Sequence, residues 1–220
     1  MRSPLALLLL FSITFGFVFP FQKVAIIEIK GVIGEDVRAD DVVEAIREVE
    51  ENPWYGGVVF DIDSSGGSAV ESHEIVREIM RMKKPKVARI GDYATSGAYW
   101  IAAACDYIVA DELSVVGSIG AVSYYPNLQE FAGKIGIRAH EVAYPEGKRF
   151  GSPFSNFTQK EYAESLVESA AQFFIDSIVS LRPEARNYTT GLPYLAKDAP
   201  GLVDEFGGLR DAIEKARELS

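Results

Sequence analysis

The sequence is poor in the residues that build disulfides, metal sites and nucleic-acid surfaces. Cys105 is the only cysteine, so one chain cannot form a disulfide, and its place after an alanine run indicates a buried, unreactive thiol. The two histidines, His73 and His140, lie too far apart to indicate a zinc site, and we expect no metal and no cofactor. The net charge of −10 argues against nucleic acid as a partner, because affinity for nucleic acid comes largely from lysine and arginine.

Charge is also absent near the N-terminus, where an uncharged run from Leu5 to Phe21 follows Arg2. The run is at the short limit for a membrane-spanning helix and long for the core of a signal peptide. Residues 1–22 are therefore either a signal anchor, which the missing small-residue cleavage site favours, or a cleaved signal peptide. Because Arg2 stays in the cytoplasm, we expect a hydrophobic helix in contact with membrane lipid, a single pass, and residues 23–220 on the extracytoplasmic side.

The remainder of the 220-residue chain has the length and the apolar content of one domain with a full core. Buried apolar runs predict strands at 23–31, 56–63, 86–90 and 106–110, and helical spacing predicts helices at 39–52, 69–84 and 96–104. Strands separated by helices indicate an α/β fold with a parallel sheet. Farther on, the pattern predicts β-rich structure at 115–125, helices at 127–136, 158–181 and 207–220, and a strand at 137–144.

Two loops follow predicted strands at the edge of the sheet where parallel α/β folds place their active sites. The first, 64–68, contains Gly66 and Gly67, whose backbone N–H groups can approach a ligand closely because no Cβ intervenes. The second ends at Ser96, at a helix start where unpaired N–H groups stabilise negative charge. Ser96 is thus either a nucleophile facing oxyanion donors or an ordinary helix cap beside a turn, and the residues alone favour the cap.

A serine nucleophile also needs a base. His140 on an alternating strand and His73 within an amphipathic helix are both more typical of structural or surface histidines. A lysine can act as the base when burial lowers its pKa from about 10.4. Lys148 stands out in "YPEGKRFGSP", because it lies between glycines at the end of a predicted strand, although loop lysines of this kind are usually solvated.

Five segments, in order, resemble those of one known family. They are "DIDSSGGSAVESHEIVREI", "GDYATSGAYWIAAACDYIVAD", "VVGSIGAV", "GKRFGSPFSNFT" and "GLVDEFGGLRDAI". Together they are similar to the signal peptide peptidase A group of membrane-anchored serine proteases, in the ClpP/crotonase superfamily. The resemblance covers roughly residues 23–215 and implies a ClpP/crotonase-like parallel sheet with flanking helices, which makes 23–220 a protease domain.

The resemblance also implies a Ser–Lys dyad. Ser96 matches the nucleophile, Lys148 the general base, Gly66 and Gly97 the positions whose amides form the oxyanion hole, and Ser118 a serine that orients the lysine. It further implies peptide substrates, above all cleaved signal peptides, and a homo-oligomer in which serine and lysine can meet across a subunit boundary.

Departures from the family pattern include Ser65 in place of a proline and Ala98 in place of a second glycine. The expected function is a serine endopeptidase. The alternatives are a crotonase-like enzyme acting on an acyl-thioester, which needs no serine nucleophile, and a catalytically silent scaffold of the same fold.

Overall fold

The computed structural model describes residues 23–154 and 159–220. The strands are β1 (Lys23–Lys30), β2 (Tyr55–Ser64), β3 (Lys86–Thr95), β4 (Tyr107–Ala110), β5 (Val115–Gly117), β6 (Pro193–Leu195) and β7 (Glu205–Phe206). The helices are α1 (Ala39–Glu51), α2 (Ala69–Arg81), α3 (Gly97–Ala103), α4 (Gln129–Lys134), α5 (Lys160–Leu181) and α6 (Leu209–Glu218). The hydrophobic helix predicted within residues 1–22 lies outside the described residues. In the described part of the chain, no helix combines the length and the apolar character needed to cross a membrane.

The described strands form one sheet, in which β1, β2, β3, β4 and β7 are parallel neighbours in that order. β5 continues the sheet beside the last residues of β3, also in parallel, and β6 pairs with β5 in the antiparallel direction. The α/β class and the parallel sheet predicted from the sequence are therefore confirmed.

Apolar side chains cover both faces of this sheet. One face packs under α1, α2 and α3, and its fully buried members include Ile29, Phe60 and Ile62. The opposite face is covered by α6 and includes Val59 and Val109. Burial of each such side chain stabilises the fold by roughly 1.5–3 kcal/mol relative to its exposure, so the sheet forms a rigid base for the loops at its carboxyl edge.

The third strand is longer than the predicted span of 86–90, since β3 continues to Thr95. After Ile90 the pairing with β2 shifts register, so that Ala94 lies opposite Ser64. The last three residues of β3 then pair with β5. Gly91 and Asp92 interrupt the apolar run, which is why the sequence pattern ends too early.

The strand predicted at 137–144 is wrong, because this segment is irregular in the structure. Its alternating pattern has no partner strand among the described residues, and Val142 and Tyr144 are 100% and 97% exposed. Of the β-rich stretch 115–125, only Val115–Gly117 is a strand. Alternation predicts a strand only where a neighbouring strand and a core can use it.

Cys105 is buried just after α3, as the sequence predicts. Burial raises the pKa of its thiol well above the ordinary value, which disfavours the reactive thiolate. Its carbonyl accepts a hydrogen bond from Arg182 at 3.4 Å. The residue is therefore part of the packing that supports α3.

Arg182 and Asp204 join the end of α5 to β4. One guanidinium nitrogen donates to both Asp204 oxygens at 2.7 Å, and Asp204 accepts from the Ile108 N–H at 2.8 Å. We expect Asp204→Ala to lower the free energy of unfolding by about 2–4 kcal/mol, because it leaves a partly buried cation and an amide unpaired. Urea unfolding measures the change.

The matched control is Asp198→Ala, which breaks an exposed ion pair with Lys197. Exposed pairs contribute about 0–1 kcal/mol, so the free energy of unfolding of the control is expected to be close to that of the native chain. Equal losses in the two variants would contradict a supporting role for Asp204.

Candidate active site

Ser96 occupies a strained turn between β3 and α3. Its φ of 55° and ψ of −127° lie where residues other than glycine are rarely found. Such a conformation costs roughly 1–3 kcal/mol and persists only when the surroundings enforce it. Here the Ser96 N–H donates to the Gly117 carbonyl at 2.8 Å, and the Ser96 carbonyl accepts from the Trp100 N–H at 3.1 Å. β5 and the first turn of α3 thus hold a half-buried hydroxyl at the carboxyl edge of the sheet.

The glycine loop that follows β2 lies directly against this turn. A Cβ on Gly66 would stand 2.8 Å from the Thr95 carbonyl oxygen and 2.9 Å from both the Gly97 nitrogen and the Ser96 Cβ. Gly66 also has a φ of +93°, so its backbone conformation and its surroundings both require glycine. The close approach brings the backbone of the loop to the peptide that joins Ser96 and Gly97.

Three backbone amides are candidates for binding a negatively charged oxygen beside Ser96. The Gly97 N–H belongs to the first turn of α3, where helical N–H groups lack a partner within the helix. The Gly66 N–H already donates to the Ser64 hydroxyl at 3.1 Å. The Gly67 N–H makes no hydrogen bond within the described residues. Gly67, which the resemblance does not assign, is therefore a candidate beside Gly66.

Ser118 lies next to this turn, because it follows the Gly117 carbonyl that binds the Ser96 N–H. Its φ of 50° is also in the left-handed region. Its N–H donates to the Leu192 carbonyl at 3.0 Å, and its hydroxyl donates to the Gly191 carbonyl at 3.2 Å. The structure therefore brings Ser96, Gly66, Gly97 and Ser118 together.

Lys148 lies elsewhere in the chain, in a short 3-10 helix, Glu146–Arg149, within the exposed segment between α4 and α5. The residue is exposed, and its backbone N–H donates to the Pro145 carbonyl at 3.0 Å. Within the described residues, no hydrogen bond or ion pair joins its amine to Ser96 or Ser118. In one protomer the Ser96 turn and Lys148 are therefore separate features.

Neither histidine pairs with Ser96 in the described chain. His73 on α2 stacks on Trp100 with ring centroids 5.0 Å apart, and it meets Phe173 edge-on at 5.1 Å. Burial, and secondly the charge of Arg77, lowers the pKa of His73 and favours its neutral form. His140 is exposed in the irregular segment. His73 is thus part of an aromatic cluster behind α3, and the lysine remains the candidate base.

Several of the sequence relatives are named as proteases. Residues 78–220 match Peptidase family S49. The chain is 32% identical over 191 residues to the putative protease MJ0651 of Methanocaldococcus jannaschii, covering 81% of this chain and 60% of that protein. It is 29% identical to Protease 4 of Haemophilus influenzae, covering 90% of this chain and 35% of that protein. The chain thus spans between a third and three-fifths of the length of these two relatives.

Solved structures show the same fold. A membrane-bound stomatin-specific protease, 1510-N, in complex with a substrate peptide aligns with a TM-score of 0.60 at 18% identity, over 89% of this chain and 80% of that one. ClpP1 from Listeria monocytogenes aligns with a TM-score of 0.56 at 16% identity, over 86% of this chain and 94% of that one. The ClpP-like arrangement expected from the resemblance is confirmed. Since the matched region begins within α2 and includes Ser96 and Lys148, and since the archaeal relative covers most of the chain, this chain belongs to Peptidase family S49.

Proposed function

We propose that the protein is a serine endopeptidase with a Ser–Lys dyad, in which Ser96 is the nucleophile and Lys148 the general base. The observation that carries the proposal is the strained Ser96 turn pressed against the glycine loop. An ordinary helix cap requires neither a positive φ nor a backbone packed against its own peptide. A serine nucleophile, by contrast, needs an accessible hydroxyl with backbone donors nearby, and the turn and the glycine loop together provide these.

The reaction follows from this arrangement. The Ser96 hydroxyl oxygen attacks the peptide carbonyl carbon while the neutral Lys148 amine takes its proton. The amides of Gly97 and of Gly66 or Gly67 bind the oxyanion, and each such donor contributes about 2.7–4 kcal/mol to the stability of the transition state. The lysine ammonium then protonates the leaving amine, and water releases the acyl group from Ser96 by the same steps in reverse.

Ser118 is proposed to orient the lysine. Its backbone follows the Gly117 carbonyl that binds the Ser96 N–H, and its hydroxyl donates to the Gly191 carbonyl at 3.2 Å. That bond uses its only proton, which leaves its lone pairs able to accept from an amine. A lysine arriving beside Ser96 would find this acceptor next to the serine that it must deprotonate.

A second copy of the chain is proposed to complete the site. A lysine takes a proton at neutral pH only after it has been withdrawn from water, whereas Lys148 is exposed in the protomer. The segment around it exposes large apolar side chains, among them Tyr124, Phe131 and Val142. Helix α5 also leaves Tyr162, Leu166 and Phe173 partly exposed. Monomers rarely expose so much apolar surface, so a homo-oligomer explains both features.

The proposed substrates are peptides near a membrane, and cleaved signal peptides in particular. The uncharged run that precedes the domain supports this, because it would tether the domain to the bilayer. The substrate class also rests on the resemblance to signal peptide peptidase A. The domain itself is proposed to lie on the extracytoplasmic side.

The proposed association of the chain with a membrane can be tested by fractionation. We expect the full chain to sediment with membranes and to resist carbonate extraction, because an uncharged run as long as Leu5 to Phe21 partitions into hydrocarbon. A chain that starts at Gln22 is expected to remain in the supernatant. Mass spectrometry that finds the mature N-terminus near residue 20 would support the cleaved signal peptide instead.

The catalytic assignment is tested with a fluorophosphonate probe that reacts with activated serines. We expect one adduct, located at Ser96 by peptide mapping, and no labelling of Ser96→Ala. The matched control is Ser165→Ala, which removes an exposed hydroxyl that donates to the Tyr162 carbonyl on α5, and it is expected to label normally. An adduct on another serine, or peptide cleavage that persists in Ser96→Ala, would contradict the proposal.

A further inference from the structure

A buried serine on α2 lies directly behind the nucleophile turn. A Cβ added to Gly97 would stand 2.2 Å from the Ser72 hydroxyl oxygen and 2.9 Å from the Ser72 Cβ. The next nearest atom, in the side chain of Ile33, is 3.8 Å away, which is an ordinary contact. Ser72 is fully buried. Ser72 therefore fixes how closely α2 and the start of α3 approach each other.

The same hydroxyl is tied to the glycine loop. Ser72 donates to the Ser68 carbonyl at 2.8 Å, and the Ser72 N–H donates to the same carbonyl at 3.0 Å. Ser68 ends the glycine loop, caps α2, and is held by a hydrogen bond from its N–H to the Ile33 carbonyl at 2.8 Å. One oxygen atom thus contacts the backbone behind Ser96 and is bonded to the loop that carries the oxyanion donors.

From this arrangement we infer that Ser72 is a positioning residue for acyl transfer. It sets the distance between the Gly97 amide on one side of the oxyanion and the Gly66 and Gly67 amides on the other. The hydroxyl touches neither the substrate nor the reacting atoms. Its effect is geometric, because oxyanion donors act over a narrow range of distance. The inference rests on the proposed role of Ser96, and it adds a residue that neither the sequence pattern nor the resemblance assigns.

The first test is Ser72→Ala, measured by steady-state cleavage of a peptide substrate. We expect kcat to fall about tenfold to a hundredfold while KM changes by less than about threefold, since small displacements of catalytic groups cost this much. The Ser68 carbonyl keeps the Ser72 N–H as a donor, and the Ser68 hydroxyl still caps α2 by accepting from the Glu71 N–H. The control is Ser165→Ala on α5, which also removes a helical hydroxyl bonded to the preceding turn.

The decisive test is a double-mutant cycle between Ser72 and Gly97. Gly97→Ala is expected to lower kcat by about a hundredfold or more, because its Cβ collides with Ser72. Ser72→Gly removes both colliding atoms. In the Ser72→Gly background, Gly97→Ala is therefore expected to lower kcat by a factor about tenfold or more smaller than in the native chain, a non-additivity typical of residues in direct contact.

Glycine within a helix lowers stability by about 0.5–1 kcal/mol, so Arg77→Gly, at an exposed position of α2, serves as the control for this effect. A Gly97→Ala loss of the same size in both backgrounds would overturn the inference, as would an unchanged kcat in Ser72→Ala. Labelling of Ser96 by the fluorophosphonate distinguishes a failure of the Ser72 role from a failure of the proposed function. If Ser96 is labelled while the cycle is additive, only the role of Ser72 fails. If Ser96 is not labelled, the nucleophile assignment fails.

Discussion

Replacing Ser96 by alanine is expected to lower kcat by about three to six orders of magnitude, because removal of a nucleophile leaves only binding and oxyanion stabilisation. The free energy of unfolding is expected to change by less than about 1 kcal/mol, since the side chain makes no cap hydrogen bond in the structure. Peptide cleavage and urea unfolding measure the two quantities on the same preparation.

Ser96→Gly is the matched variant, because glycine adopts a φ of 55° without the strain that alanine retains. We expect both variants to be inactive and the glycine variant to be more stable than the alanine variant by about 1 kcal/mol. Turnover that survives in either variant would end the assignment of Ser96. Equal stability of the two variants would show that the turn is not strained in solution.

Mixing two inactive variants, Ser96→Ala and Lys148→Ala, is expected to restore activity. The reason is the exposure of Lys148 in one protomer, together with the need to withdraw a lysine base from water. If each site takes its serine from one chain and its lysine from the neighbour, random assembly gives about a quarter of the sites both intact residues. The recovered activity is therefore expected to approach about a quarter of the native value per site.

The chains are unfolded together, refolded and assayed, and native mass spectrometry establishes that mixed assemblies have formed. Each variant refolded alone is the control and is expected to remain inactive. No recovery in assemblies proven to be mixed would place both residues of the dyad within one chain. Dilution of the native protein below its assembly range is expected to reduce its activity for the same reason.

The core of the fold could be predicted because its signals are local. The runs that form β1, β2 and β4 are continuous and apolar, and the helices between them have apolar residues at helical spacing. The short strands β6 and β7 were missed, since two or three residues carry no pattern. The strand prediction for 137–144 failed for the opposite reason, because the segment has the alternating pattern of a strand but no partner strand among the described residues.

The site was only partly predictable from the residues. The glycine loop and Ser96 could be placed at the edge of the sheet, but a helix cap and a nucleophile share the same local sequence. The positive φ of Ser96, which distinguishes this turn from an ordinary cap, is imposed by tertiary contacts. Ser72 was missed, although a signal exists: α2 buries this polar residue together with Ile75 and Ile79. A small polar residue on a buried helix face indicates that another backbone approaches closely.

The hydrogen bond from the Ser96 N–H to Gly117 has a consequence for the order in which the protein matures. Gly117 belongs to β5, and β5 is closed on its outer side by Pro193–Leu195, which are synthesised long after it. Until those residues arrive, the three-residue strand that anchors the nucleophile turn lacks half of its pairing. A nascent chain that lacks Pro193–Leu195 thus carries Ser96 before it can hold the turn in the conformation seen in the structure, and we expect such a chain not to react with the fluorophosphonate.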